Sequence, residues 1–121
     1  NAIQVDLFSQ VNAESLGTSQ VSGNGGMWDF VLGAQWARRG KSFICLSSTY
    51  TGSNGKMHSR ITPQLPLGSI VTIPRQMVDY IVTEYGAAKW TSCGGSGGTN
   101  ADNIQGIEKL SRGEGAVRCS A

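Results

Sequence analysis

From Ala2 to Phe8 the chain alternates, with Ile3, Val5 and Leu7 on one side of an extended backbone and Gln4, Asp6 and Phe8 on the other. This two-residue period predicts a strand. Polar and small residues from Ser9 to Gly17 predict a turn or hairpin, and Thr18 to Ser22 a short extended approach to a run of glycines. Behind Ser22-Gly23-Asn24-Gly25-Gly26 the period changes. Met27, Phe30, Val31 and Ala34 recur at i, i+3, i+4 and i+7, which predicts a helix with one buried stripe. Asp29 in its first turn, Arg38 and Arg39 in its last, and Gly40 just beyond suit the helix dipole and a C-terminal stop.

Ser42 to Ser48 is a compact apolar run of strand length, followed by a Gly, Ser and Asn loop from Thr51 to Ser59. Ile70 to Ile73 reads as a third strand broken by Pro74 and Arg75, and Val78 to Thr83 as a fourth that ends at Glu84-Tyr85-Gly86. Strands interleaved with a helix imply an α/β fold. After Trp90 the texture changes, because Cys93-Gly-Gly-Ser-Gly-Gly-Thr99 has the composition of a flexible linker. Asp102 is positioned to cap a short helix carrying Ile104, Ile107 and Leu110. Gly106, Gly113 and Gly115 oppose that helix by about 1 kcal/mol each. The division expected is a domain over 1–90 and a glycine-rich tail over 91–121.

At 121 residues the chain holds material for one domain, folded domains clustering near about 100 to 150. Its 39% hydrophobic and 15% charged content suits a chain that buries a core. A net charge of +2, from 10 basic and 8 acidic residues, lacks the clustering of a nucleic-acid surface. Cys45, Cys93 and Cys119 form no C-x-x-C pair, so neither a metal site nor a disulfide framework is signalled. A reduced, cytoplasmic chain that does not enter membranes is expected, since no apolar run approaches the roughly 20 residues of a spanning helix. The first residue is Asn1 rather than Met and leads straight into an apolar alternation, so a segment of something longer is expected.

Glycines let backbone N–H groups approach a ligand, and a helix N-terminus adds partial positive charge. Ser22, Gly23, Asn24, Gly25 and Gly26 therefore form a candidate anion cradle, with a plain chain turn as the alternative. A dinucleotide fingerprint fits worse, because Trp28 stands where a third glycine is needed. Glu84 sits at the carboxyl edge of a strand, where α/β sheets place functional groups, and is otherwise a solvated strand-end glutamate. Lys41 with Arg38 and Arg39 suits a phosphate-bearing cofactor or simply a solvated helix end. His58 is expected exposed and without partners, Cys45 as a small core residue, and Trp28 and Trp36 as packing groups.

Five blocks stand in one order: A-I-Q-V-D-L-F-S-Q-V-N-A-E-S, S-G-N-G-G-M-W-D-F-V-L-G-A, G-K-S-F-I-C-L-S-S-T, S-R-I-T-P-Q-L and V-D-Y-I-V-T-E-Y-G-A-A. Together they resemble the C-terminal domain of the acetyl-CoA hydrolase and CoA-transferase family, most nearly its 4-hydroxybutyrate and butyrate CoA-transferase members, from Ala2 to about Lys89. The resemblance implies a CoA-transferase-like open α/β sheet with flanking helices, here incomplete. It also implies coenzyme A as substrate, a short-chain carboxylic acid as partner, no metal and a homo-oligomeric complete enzyme. A glutamate would attack the acyl-CoA and then hold CoA as a covalent thioester, with the Gly26 amide as an oxyanion donor. Ile3 and Lys41 map to CoA contacts, and Glu84 to a second, supporting glutamate. The nucleophile's motif precedes this kind of segment and is not among these residues, so the chain alone is expected to be inactive. Trp90 to Ala121 lacks the family's Arg-rich helix and A-H-P-D-F-R-like ending, which implies a foreign or frame-shifted tail and a sheet short of cover. A domain that only binds CoA or another nucleotide is the competing reading.

Overall fold

A computed structural model describes residues 1–90 and 100–113. The expected α/β organisation is present as two three-stranded sheets, two short hairpins and two helices. In the first sheet β1 (Gln4–Asp6) lies between β2 (Val11–Asn12), antiparallel, and the later strand β8 (Ile61–Thr62), parallel. This central place explains why Gln4, Val5 and Asp6 are all buried, although their alternation predicts one wet face. Asp6 offsets its burial by accepting the amide hydrogens of Phe8 and Gln10 and the Gln10 side-chain amide. Asn12 does the same for the next turn, accepting from the amides of Glu14 and Ser15.

A hairpin of β3 (Ser15–Leu16) and β4 (Ser19–Gln20) follows, turning at Gly17 with φ 58°. The glycine loop then delivers the chain to α1 (Met27–Trp36). Only Val31 of the expected stripe is buried, with Met27 and Ala34 half-buried and Phe30 83% exposed. The helix also stops earlier than predicted. Ala37 is already extended, so Arg38 and Arg39 lie beyond its last turn, and Arg39 rather than a glycine takes the left-handed conformation, at φ 64°. Gly40 instead lets the chain pass close against α1, since a Cβ there would sit 2.0 Å from the Ala34 carbonyl oxygen.

The second sheet has the order β10-β9-β5. β5 (Phe43–Cys45) runs parallel to β9 (Tyr80–Thr83), which pairs antiparallel with β10 (Gly86–Lys89). The predicted loop over Thr51 to Ser59 is instead the hairpin of β6 (Thr49–Thr51) and β7 (Met57–Ser59), with its glycines confined to the tip. Ile70 to Ile73 forms no strand and contributes a single bridge, Ile73 to Val11, while the Thr72 hydroxyl accepts from the Ala13 amide and donates to Glu14. Pro74 starts a 3₁₀ turn over Arg75–Met77.

Helix α2 (Asn100–Arg112) begins before Asp102 and packs on β10 and β8. Its Ile107 and Leu110 are fully buried in the common core with Val5, Ile44, Ile73 and Ile81, so this side of the sheet has cover. The linker reading of Cys93 to Thr99, and Gly115 and Cys119, lie outside the described residues.

Candidate functional site

The parallel register of β5 with β9, in which Cys45 lies opposite Val82, brings the ends of both strands to one edge of the sheet. Beyond Thr83 the chain reverses through Glu84 and Tyr85 into β10, so Glu84 occupies a two-residue turn at that edge. Ser48, just past the end of β5 and fully buried, faces it. The Ser48 amide donates to Glu84 Oε2 at 2.9 Å and the Ser48 hydroxyl to Oε1 at 2.5 Å. Charge-assisted bonds of this kind favour the ionised acid. The Glu84 carboxyl is accordingly held below its ordinary range, first by the Ser48 hydroxyl, then by the Ser48 amide and by its own amide. Glu84 is thus a fixed anion whose oxygens are both engaged.

It borders a cleft of about 440 Å³ whose walls include Asn1, Ile3, Cys45, Ser47 and Arg60. Cys45 is half-buried there rather than sealed in the core as expected. Arg60 reaches it from the loop before β8, donating from Nη1 to the Ile3 carbonyl at 3.0 Å, with its guanidinium 4.9 Å from the centre of the Tyr50 ring.

A second cleft of about 570 Å³ lies between the start of α1 and β5, lined by Asn24, Gly26, Met27, Phe30, Lys41 and Phe43 among others. Ser22, Gly23 and Gly25 are exposed on the loop that forms its lip. The loop is pinned at one end by Glu14, whose carbonyl accepts from the amides of Val21 and Ser22. Gly25 turns the chain at φ 51°, a conformation that favours glycine. The amide hydrogens of residues 23–26 meet no acceptor among the described residues, and no side chain caps the helix. Four adjacent donors at a helix start, with the exposed Lys41 on the same cleft, can receive an anion or a developing oxyanion. Among the described residues no group of three His, Cys, Asp or Glu stands close enough to hold a metal ion.

The sequence-predicted residues therefore fall into two groups. Asn24, Gly26 and Lys41 share the α1 cleft, whereas Ile3 and Glu84 share the other, and Asn1 lines both. Asn1, Ser48 and Arg60 were not picked out by sequence reasoning. Ser48 carries no signal of its own in the sequence, since it meets Glu84 only through the β5–β9 register. Trp28 packs half-buried against the core as expected, but Trp36 is 80% exposed. His58 is exposed and does have a partner, stacking on Tyr50 with ring centres 5.2 Å apart.

Comparison with known proteins identifies the family and the fold. Residues 1–96 match the family profile of the acetyl-CoA hydrolase/transferase C-terminal domain. The chain is 59% identical over 88 residues to butyryl-CoA:acetate CoA-transferase of Anaerostipes caccae, covering 73% of this chain and 20% of that protein. It is 50% identical over 88 residues to 4-hydroxybutyrate coenzyme A transferase of Clostridium kluyveri, with the same 73% and 20% coverage. The crystal structure of RipA from Yersinia pestis superposes with a TM-score of 0.63 at 31% identity, over 90% of this chain and 21% of that one. The chain thus spans about a fifth of the length of the curated relatives it matches, 20% in both cases.

Proposed function

The chain belongs to the acetyl-CoA hydrolase/transferase family, and from that premise we propose that it forms the C-terminal active-site part of an acyl-CoA:carboxylate CoA-transferase, with acyl-CoA hydrolysis as the related activity of the same site. Its substrates are an acyl-CoA and a short-chain carboxylic acid, met in the cytoplasm. A glutamate carboxylate attacks the thioester carbonyl, and the oxyanion that forms accepts a hydrogen bond from the Gly26 amide. Collapse expels the CoA thiolate and leaves an acyl-glutamyl anhydride. The thiolate then attacks the glutamyl carbonyl, the acyl group leaves as a free carboxylate, and a glutamyl-CoA thioester remains for the second acid to reverse the sequence.

The nucleophile belongs to a family motif that these 121 residues do not contain. Glu84 is unsuited to that part, since hydrogen bonds from Ser48 tie up both of its oxygens and blunt their nucleophilicity. It serves instead as a fixed charge that supports the site.

The observation that carries the proposal is the row of four unengaged amides at the start of α1, on a cleft with Lys41 that Asn1 joins to the Glu84 cleft. Calorimetry with the chain tests it. CoA is expected to bind at least about tenfold more tightly than ATP or NAD, a gap of about 1.4 kcal/mol. Equal affinity for all three would favour a domain that only binds nucleotides.

A further inference from the structure

Lys41 lines the α1 cleft as an exposed cation without a partner among the described residues, yet the residues on either side of it are held fast. On one side Gly40 donates its amide to the Ala37 carbonyl at 2.9 Å and passes too close to α1 to carry a Cβ. On the other, Ser42 is buried and its polar atoms are all engaged. Its amide donates to Asp79 Oδ2 at 2.8 Å, and its carbonyl accepts from the Tyr80 amide at 3.0 Å. Its hydroxyl accepts from the Asp79 amide at 3.0 Å and has the Met77 carbonyl and Asp79 Oδ2, at 3.0 and 3.1 Å, within reach of its one hydrogen. Asp79, just ahead of β9, is therefore the node that fixes Ser42 from 37 positions away. Gln35 of α1 adds bonds to the Met77 carbonyl and to Asp79 Oδ2 at 3.2 and 3.3 Å, but these are longer and exposed and contribute less.

A lysine side chain in water has many rotamers to lose when it meets an anion, and a backbone that also moved would add to that loss. With Gly40 and Ser42 fixed, only the Lys41 side chain remains to be ordered. Asp79 lines neither the α1 cleft nor the Glu84 cleft, so its carboxylate reaches the site by way of Ser42. We propose that Asp79 is a positioning residue of the α1 cleft, which through Ser42 sets where Lys41 presents its charge beside the loop amides. A displacement of about 1 Å at such a group is enough to weaken its contact with a bound anion. This deepens the proposed function and rests on it, since that reading is what brings an acyl-CoA to the cleft.

Calorimetry with acetyl-CoA on a double-mutant cycle tests the assignment. Lys41→Met and Asp79→Ala are each expected to lower the affinity about three- to tenfold, the worth of one hydrogen bond. In the Lys41→Met background Asp79→Ala is expected to cost nothing more, because the group it positions is gone, and Asp79→Asn, which keeps an acceptor for Ser42, recovers most of the affinity. An aspartate with a merely structural role would weaken binding whether or not Lys41 is present. Losses that multiply in the double variant, or parent-like affinity in Asp79→Ala, overturn the proposal. Hydrogen exchange in the unaltered chain decides where a variant does not fold: the Ser42 amide is expected to be protected and those of residues 23–26 are not, and equal exchange removes the Asp79–Ser42 bond and the proposal with it. Acetyl-CoA binding that ignores Asp79→Ala leaves the transferase reading standing, whereas an unaltered chain that binds no acetyl-CoA removes that reading and this one together.

Discussion

Replacing Leu110 by alanine tests whether α2 belongs to the fold that presents the site. Leu110 has no exposed surface and packs with Ile107 in the core shared by both sheets. The substitution deletes three carbons, worth about 2.4 kcal/mol of transfer free energy at about 0.8 per buried methylene. The cavity left behind raises the loss to about 3–5 kcal/mol. Against a domain stability of about 5–15 kcal/mol, that is a third or more in most of the range. At about 4 °C or more per kcal/mol the melting temperature falls by at least about 12 °C. Urea and thermal unfolding followed by circular dichroism measure it. Leu67→Ala is the control, since Leu67 is 97% exposed and its loss costs about 0.5 kcal/mol or less. If Leu110→Ala also stays within about 0.5 kcal/mol of the parent chain, α2 does not cover the sheet and the packing described here is wrong.

Three further outcomes follow from the same geometry. Ser48→Ala removes the hydroxyl that does most to hold the Glu84 carboxyl low, so its titration, read from the side-chain carboxyl ¹³C shift, moves up. Because the folded-state value is depressed, the Ser48–Glu84 bonds stabilise the parent chain above the ordinary carboxylate range, and that contribution disappears as pH falls through the folded value. An unchanged Glu84 titration in Ser48→Ala would remove this assignment. Gly26→Pro deletes one loop donor at a residue whose φ of −86° lies near the range of proline. Affinity for acetyl-CoA measured by calorimetry should fall about two- to tenfold, the worth of one hydrogen bond to the thioester carbonyl, while Gly26→Ala, whose Cβ would only touch the Phe30 ring at 3.6 Å, keeps the donor and the affinity. Gly68→Ala, at φ 83° with a Cβ 2.4 Å from Thr18 Cγ2, should cost more than about 1 kcal/mol in urea unfolding.

How far the chain could be read in advance depended on whether neighbours in sequence or partners in space decide each element. β1, β5, β9 and α1 carry local periods and lie where those periods place them. Ile70 to Ile73 has the same apolar texture, but among the described residues its pairing amounts to one bridge with Val11, a partner far off in the sequence. The exposure of Phe30 and Trp36 was equally hidden, because a helical stripe says which residues share a face and not what meets it. β10 was missed because Gly86, Ala87 and Ala88 have little strand propensity of their own and are held by β9 and α2. In the site, the glycine loop was legible from composition, since left-handed turns and free amides at a helix start have few alternatives. The engagement of Glu84 by Ser48 was not, for those residues are 36 positions apart and meet only through the β5–β9 register. Arg60 gained meaning only when its bond to the Ile3 carbonyl became visible.

The functional reading turns on the bend before α1 offering its backbone donors to a thioester. A ¹H–¹⁵N titration of the chain with acetyl-CoA examines those donors one by one. Saturable shifts are expected at the amides of Gly23, Asn24, Gly25 and Gly26, with smaller ones at Ile3 and Lys41 and none on the far side of α2. Shifts that avoid residues 23–26, or that ATP reproduces at equal concentration and amplitude, would contradict it.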